Sequence, residues 1–310
     1  MTFCPLELRL FAGEVAEAAR PTTEPAGARP AELAALQRGT PLPPGDWVPE
    51  QGASLARSRA RRLRRRSSKR QLARHPVARL RVAAVQMVST PRVDENLRVA
   101  AGLIADAVAQ GAELVALPEY FPIMGMTDGD KVAVRESDGR GPIQDFLSAT
   151  ALAHRIWLIG GSLPLWSRHA DKVLNSSLAY NPQGEQVARY DKIHLFGFRQ
   201  GSESYDETAT IEAGRQVVAF ATPFGRIGLS ICYDLRFPEL YRAVGVTDLL
   251  VIPAAFTETT GRAHWEILLR ARAIENQCYL LAVGQGGRHE NGRLTHGNSM
   301  IIDPWGEILD

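Results

Sequence analysis

From about residue 80 onward, short and almost wholly apolar runs alternate with longer stretches whose apolar residues recur every three or four positions. The first pattern reads as buried strands and the second as amphipathic helices. Val82 to Met87 predict one strand. "VDENLRVAAGLIADAVAQG" predicts a helix with Asp94 at its N-cap, Leu97, Ala101, Ile104 and Val108 on one stripe, and Gly111 as its stop. "AELVALPE" reads as a strand, "IQDFLSATALAHR" as a helix and "IWLIGGSLP" as a further strand. "SSLAYNPQGEQVARYDK" reads as two strands joined by an Asn-Pro-Gln-Gly turn. "GRIGLSI", "DLLVIPAAF" and "CYLLAVGQ" complete the strands. The helix "AHWEILLRARAIENQ" stands before the last, with Trp265, Ile267, Leu268 and Ile274 expected to pack. Strands apolar on both faces and interleaved with helices predict sheets covered by helices, an α/β architecture.

The first 78 residues have a different texture. They hold 14 Lys/Arg against 7 Asp/Glu, with the excess in "ARSRARRLRRRSSKR", while the rest of the chain is acidic. "GTPLPPGDWVPEQG" precedes that run without a helical or strand period. So little apolar surface does not offset the entropy of ordering a chain, so residues 1–78 are expected to be a disordered basic extension, with a folded domain over 79–310. An Arg run also fits nucleic acid or an anionic surface through phosphate neutralisation, although most charge runs are solvated tails. Translation starting downstream of Met1 is a third reading.

No run of eighteen apolar residues is present, which predicts no membrane span, and the N-terminus lacks the order of a secretory signal. Three scattered cysteines, Cys4, Cys232 and Cys278, argue for a reducing cytoplasm, and no Cys/His cluster has zinc-ligand spacing.

Three strand ends carry reactive side chains. Glu119 ends "ELVALPE", Lys192 ends "EQVARYDK", and Cys232 ends "RIGLSI" just before Pro238-Glu239-Leu240, which reads as the first turn of a helix. A helix start beside Cys232 would ease thiolate formation. Each residue alone has a structural reading: a strand-end cap or ion-pair partner for Glu119, a surface lysine, a small core residue for Cys232. Together they form a set. A carboxylate in a partly desolvated pocket can take a thiol proton, and an ammonium can hold the charge that builds when the sulfur attacks an amide or nitrile carbon.

The motifs "LVALPEYF", "RYDKIHLF" and "GLSICYDLRFPEL", in that order, resemble those of the nitrilase, or carbon-nitrogen hydrolase, superfamily. The segment "TGRAHWEILLRARAIENQCYLLAVGQGGRHENGRLTHGNSMIIDPWGEI" is similar to the branch of amidases acting on deaminated glutathione and on ω-amides of 2-oxo acids. The resemblance implies a four-layer αββα sandwich that needs no metal or organic cofactor, and a homodimer or higher homo-oligomer joined through helix faces. It implies Glu119 as general base, Lys192 as stabiliser of the tetrahedral intermediate and Cys232 as nucleophile, with the Tyr233 N–H sharing the oxyanion. A second, supporting glutamate matches Glu207, with Glu203 close by. The chain stops after "DPWGEILD", short of where the resemblance implies, which bears on the outer strand and the subunit contacts.

The expected activity is hydrolysis of a carbon-nitrogen bond in a small carboxylate-bearing amide through a cysteine thioester. A nitrilase or an N-carbamoyl amino acid amidohydrolase is the alternative, and binding through the Arg run, or an adaptor that keeps the fold, is the non-enzymatic one. Asp234 and Arg236 are expected to pair and brace the nucleophile turn, or else Arg236 binds a substrate carboxylate. His194, His264 and His296 have no spacing that marks a Cys-His dyad, and Cys278 reads as core.

Overall fold

The computed structural model describes residues 6–9, 79–201 and 203–310. The expected basic extension and its Arg run therefore lie, except for one segment, outside the described residues. That segment, β1 (Leu6–Arg9), pairs antiparallel with β2 (Arg79–Ala84).

Two sheets form the body. In the first, β2 runs parallel to β3 (Leu114–Ala116), and β3 runs parallel to β4 (Trp157–Ile159). The sheet continues antiparallel through β5 (Leu163–Trp166), β6 (Val173–Tyr180) and β7 (Gln186–Asp191), with β6 between the other two and beside β4. A separate hairpin, β8 (Gly197–Gln200) and β9 (Glu203–Asp206), follows. In the second sheet β10 (Val218–Thr222) and β11 (Gly225–Leu229) form a hairpin, and β11, β12 (Leu249–Ala254) and β13 (Tyr279–Gly284) are parallel. After a small hairpin, β14 (Gly286–Arg288) with β15 (Leu294–His296), the chain returns as β16 (Met300–Ile302) against β13.

Side-chain alternation fixes the layers. Leu80, Val82, Leu114, Ala116, Trp157 and Ile159 enter one core together with β11, β12 and β13, so the sheets pack face to face. Their neighbours Ala83, Val115 and Leu158 point the other way, into a second core. There they meet Ala100, Leu103, Ile104 and Ala107 of α1 (Val93–Ala109), and Ile143, Leu147 and Ala151 of α3 (Pro142–His154); a short α2 (Asp130–Ala133) lies between. α4 (Pro238–Val244) and α5 (Glu258–Asn276) cover the second sheet with Leu240, Tyr241, Trp265, Leu269 and Ala273. The order of layers is αββα, as the resemblance implied.

Local expectations shift at several points. The cap of α1 is Arg92, without a side-chain bond, and Asp94 lies inside the first turn, where a carboxylate still favours the helix dipole. The buried face of α1 is Asn96, Ala100, Leu103, Ile104 and Ala107; of the expected stripe only Ile104 is fully buried. In α5, Trp265 is buried and Leu268 half-buried, but Ile267 and Ile274 are exposed. That helix starts earlier than expected because Thr257 caps it, accepting a bond from the Thr260 N–H. The Asn181–Gly184 turn closes as expected, with the Gly184 N–H donating to the Asn181 carbonyl.

"IWLIGGSLP" is two strands, broken at Gly160-Gly161, and the break serves the loop after β3. At Gly161 φ is +51°, and a Cβ there would sit 2.1 Å from the Pro118 carbonyl oxygen. Only glycine allows this approach, which seats the 160–162 segment against the backbone leading to Glu119. Ser162 then donates its N–H to the Pro118 carbonyl and accepts, on Oγ, the N–H of Tyr120.

Candidate active site

The parallel strands of both sheets end on one side of the molecule, the position where α/β folds place their loops for chemistry. Met87 and Gln285, beyond the ends of β2 and β13, form a bridge between the two sheets. Gln285 donates to Ser89 Oγ (2.6 Å) and to the Glu119 carbonyl (3.2 Å), tying the loop after β3 to the second sheet.

Glu119, Lys192 and Cys232 converge here, as their positions at strand ends imply. Lys192 is fully buried and Glu119 is 1% exposed. The three donors of Lys192 Nζ are spent on carboxylates: Glu119 Oε1 at 2.9 Å, Glu207 Oε1 at 2.9 Å and Glu207 Oε2 at 2.8 Å. Glu119 is fixed on its other edges by Asn175 Nδ2, which donates to Oε1 at 3.0 Å, and by the Ala255 N–H, which donates to Oε2 at 2.9 Å. Glu207 also accepts from the Tyr120 hydroxyl (2.7 Å) and the Phe196 N–H (2.7 Å). A buried charge cluster is tolerated only when paired and hydrogen-bonded in this way.

Of the two candidate glutamates, Glu207 is the one that bonds Lys192. Glu203 instead accepts a bond from the Thr259 hydroxyl. Burial alone would lower the Lys192 pKa, but the Glu119 and Glu207 charges more than offset it, and the amine stays protonated. Burial likewise pushes the Glu207 carboxyl up, and the Lys192 ammonium with its hydrogen bonds outweighs this, holding it below its ordinary value of 4.5.

Cys232 opens a single 3₁₀ turn, Cys232–Arg236, which ends before α4 begins at Pro238. The expectation that a helix start eases its ionisation is therefore not met. Burial, and then the charge of Glu119 beside it, push the thiol well above its usual value; Lys192 opposes this without reversing it. Cys232 rests as a neutral thiol beside the Glu119 carboxylate. Its φ is +50°, and Tyr120, next after Glu119, has φ +56°. Left-handed backbone at a non-glycine residue costs about 1–3 kcal/mol and persists only where the surroundings over-determine it.

The surroundings of Cys232 do so through Asp234, which is wholly buried. Its carboxylate accepts from the Ile231 N–H (2.9 Å), the Tyr190 hydroxyl (2.6 Å) and the His194 N–H (3.0 Å), with His194 Nδ1 at 2.7 Å. The expected Asp234–Arg236 pair is absent because these donors fill both oxygens of Asp234. Arg236 lies over the rings of Tyr233 (5.6 Å) and Phe256 (5.5 Å), within 3.2 Å of His264 Nδ1. The Tyr233 N–H is in the first turn, where a 3₁₀ segment leaves it without an internal acceptor.

The histidines have other partners: His194 bonds Asp234 and stacks on Phe237, and His296 bonds Glu258. Cys278 is core, its thiol pushed up to about 12 by burial. Among the described residues no three His, Cys, Asp or Glu side chains are grouped so as to hold a metal ion, and no helix is long and apolar enough to cross a membrane.

Sequence reasoning missed Asn175, Tyr120, Lys131 and Arg293. Asn175 carried a signal, as an amide within an otherwise apolar strand has to be satisfied by something buried. Lys131 and Arg293 carried none beyond their charge.

Comparison with known proteins comes to the same place. The profile described as carbon-nitrogen hydrolase matches residues 81–310. A Synechocystis protein called deaminated glutathione amidase is 45% identical over 233 residues, covering 73% of this chain and 85% of that protein. The Saccharomyces cerevisiae protein Nit3, a member of branch 10 of the nitrilase superfamily, superposes with a TM-score of 0.67 at 30% identity, covering 74% and 84%. An amidase from Nesterenkonia, solved as a mutant with acrylamide added at its active-site cysteine, superposes with a TM-score of 0.65 at 27% identity, covering 74% and 87%.

Proposed function

The chain belongs to the carbon-nitrogen hydrolase family, and from that premise we propose that it hydrolyses a small carboxylate-bearing amide of the deaminated glutathione or ω-amide type through a thioester on Cys232. The observation that carries this reading is the buried pair of the Glu119 carboxylate and the Lys192 ammonium, close enough for both charges to act on the Cys232 thiol.

As Sγ attacks the amide carbon, its proton passes to Glu119, so the nucleophile forms at the moment it is used. The carbonyl oxygen takes up negative charge near the Lys192 ammonium, whose positive charge favours it while its three protons stay on Glu119 and Glu207, and it accepts from the Tyr233 N–H. Collapse of the tetrahedral intermediate breaks the carbon-nitrogen bond, and Glu119 returns the proton to the departing ammonia or amine. Glu119 then draws a proton from water, the hydroxide attacks the thioester, and the carboxylic acid leaves as Sγ is reprotonated. Glu207 and Tyr120 keep Lys192 in place and charged. Arg236, free of any carboxylate partner among the described residues, faces the carboxylate of the acyl part.

The test is a product-release screen over deaminated glutathione, 2-oxoglutaramate, simple amides, nitriles and N-carbamoyl amino acids, with Cys232→Ala alongside. Turnover of the two oxo-acid amides that disappears in Cys232→Ala supports the proposal; turnover retained in that variant removes Cys232 as nucleophile. We also propose that copies associate through helix faces, as the exposed Ile267 and Ile274 of α5 favour. A purely monomeric sedimentation profile at micromolar concentration would refute this.

A further inference from the structure

Two arginines and a lysine near the catalytic groups are left unused by the mechanism or only partly used. Arg293, between β14 and β15, donates through Nη2 to the Ala255 carbonyl at 2.8 Å. The N–H of that same residue holds Glu119 Oε2. The Arg293 guanidinium lies 5.0 Å from the centroid of the Tyr205 ring, and its Nε is buried with no hydrogen-bond partner. A buried donor without an acceptor is costly, and an arginine without a carboxylate keeps the charge and fork geometry to bind one. Lys131 adds a second cation beside it: its Nζ lies 5.3 Å from the Tyr120 ring centroid and 3.4 Å from Thr210 Oγ1. Burial lowers the Lys131 pKa and the charge of Arg293 pushes in the same direction, opposed by Glu207 and by Asp128, whose exposed carboxylate lies 3.5 Å from Nζ, and an anion entering between Lys131 and Arg293 would meet both cations.

The rings connect this locus to the other arginine. Tyr205, Phe196 and Tyr233 form a row with centroid steps of 5.8 and 5.3 Å, Arg293 lying over the Tyr205 end and Arg236 over the Tyr233 end. Arg236 closes the turn that carries Cys232, to which the acyl part becomes attached. Arg293 is bonded to the carbonyl of Ala255, the residue whose N–H anchors Glu119, which protonates the departing amine.

We propose that Arg293, assisted by Lys131, binds a carboxylate on the leaving-amine side of the scissile bond, while Arg236 binds one on the acyl side. This rests on the amidase reading above and sharpens it: the preferred substrate is an amide with an anionic group at each end, and primary ω-amides are poorer because their leaving group is ammonia.

The test measures kcat and KM for deaminated glutathione, which carries both carboxylates, and for 2-oxoglutaramate, which carries only the acyl one, in wild type, Arg293→Gln, Arg293→Lys and Arg236→Gln. Arg293→Gln is expected to raise KM for deaminated glutathione about ten- to a hundredfold, as loss of a charge-assisted pair implies, and to leave 2-oxoglutaramate within twofold. Arg293→Lys restores part of the loss, and Arg236→Gln raises KM for both. Unchanged turnover of 2-oxoglutaramate by Arg293→Gln also reports that Glu119 and the fold are intact. An equal shift for both substrates in Arg293→Gln, or no shift for either, overturns the inference while the amidase reading stands. Failure of the wild type to hydrolyse either amide sinks both.

Discussion

The two halves of the site hold their groups in opposite ways. The first sheet supplies Glu119 and Lys192, both buried, which with the partly buried Glu207 form a run of formal charges, each oxygen and proton matched to a partner. The second sheet supplies Cys232, a neutral thiol on strained backbone, positioned by a carboxylate, Asp234, that does not touch it directly. Charge organises one half and geometry the other. The first half is consequently intolerant of losing a partner, whereas the second tolerates a change of the sulfur itself but not of the turn beneath it.

Removing the sulfur is the sharpest break. Cys232→Ala is expected to lower kcat by at least about a thousandfold, since no other group can take over the nucleophile, with a melting temperature close to wild type. Lys192→Met strikes the other half. It leaves Glu119 and Glu207 buried without their shared cation, and an expected cost of about 3–5 kcal/mol should appear in denaturant unfolding together with loss of turnover. Equal stability of the two variants would erase the contrast between the halves.

Asp234→Asn keeps the shape but removes the charge and one acceptor from a group that takes bonds from Ile231, Tyr190 and His194. The expectation is a stability loss of about 1–3 kcal/mol and a fall in kcat without a matching rise in KM. Unaltered kcat would mean that the turn holds Cys232 without its brace.

Acid sharpens the comparison further. The Glu207 carboxyl lies below 4.5 in the folded protein, so between its folded value and about 4.5 the unfolded chain binds more protons. The stability this group contributes is complete above that window and is lost as pH falls through the folded value. Glu207→Gln should lower the melting temperature at neutral pH and flatten its fall below about pH 4.5. A melting curve that falls as steeply in the variant would assign the acid sensitivity elsewhere. Asn175→Ala, which removes one neutral donor from Glu119, is expected to have the smallest effect, about 1 kcal/mol and a modest loss of kcat.

The alternation of apolar runs and helical stretches is enough to place most strands, because a strand buried on both faces must be apolar throughout, and β3, β4 and β12 are. The catalytic candidates were legible for a related reason: Glu119, Lys192 and Cys232 are reactive types at the ends of such strands. What the pattern hid was set by tertiary contacts. The face of α1 turned because Asn96 is buried by bonds to Thr90 and Pro122, a polar residue no apolar stripe would include. Asp234 looked like a partner for Arg236 because the two are close in sequence; its actual partners, Tyr190 and His194, are about forty residues away. The short hairpins β8–β9 and β14–β15 carry few apolar residues and left no period to read. Arg293 depends on the second of these, which is why its place beside Ala255 had no trace in the sequence.

The central claim is that Cys232 rests as a thiol because burial, and then the neighbouring Glu119 carboxylate, disfavour its anion. The direct measurement is the ionisation of Cys232, followed by ultraviolet thiolate absorbance and by alkylation rate against pH, in wild type and in Glu119→Gln, with Cys232→Ala as the blank. The account predicts a thiol at neutral pH in the wild type and a titration that moves to lower pH in Glu119→Gln, where a neighbouring negative charge is lost and Lys192 remains. A thiolate already formed at neutral pH in the wild type, or a titration indifferent to Glu119, would contradict it.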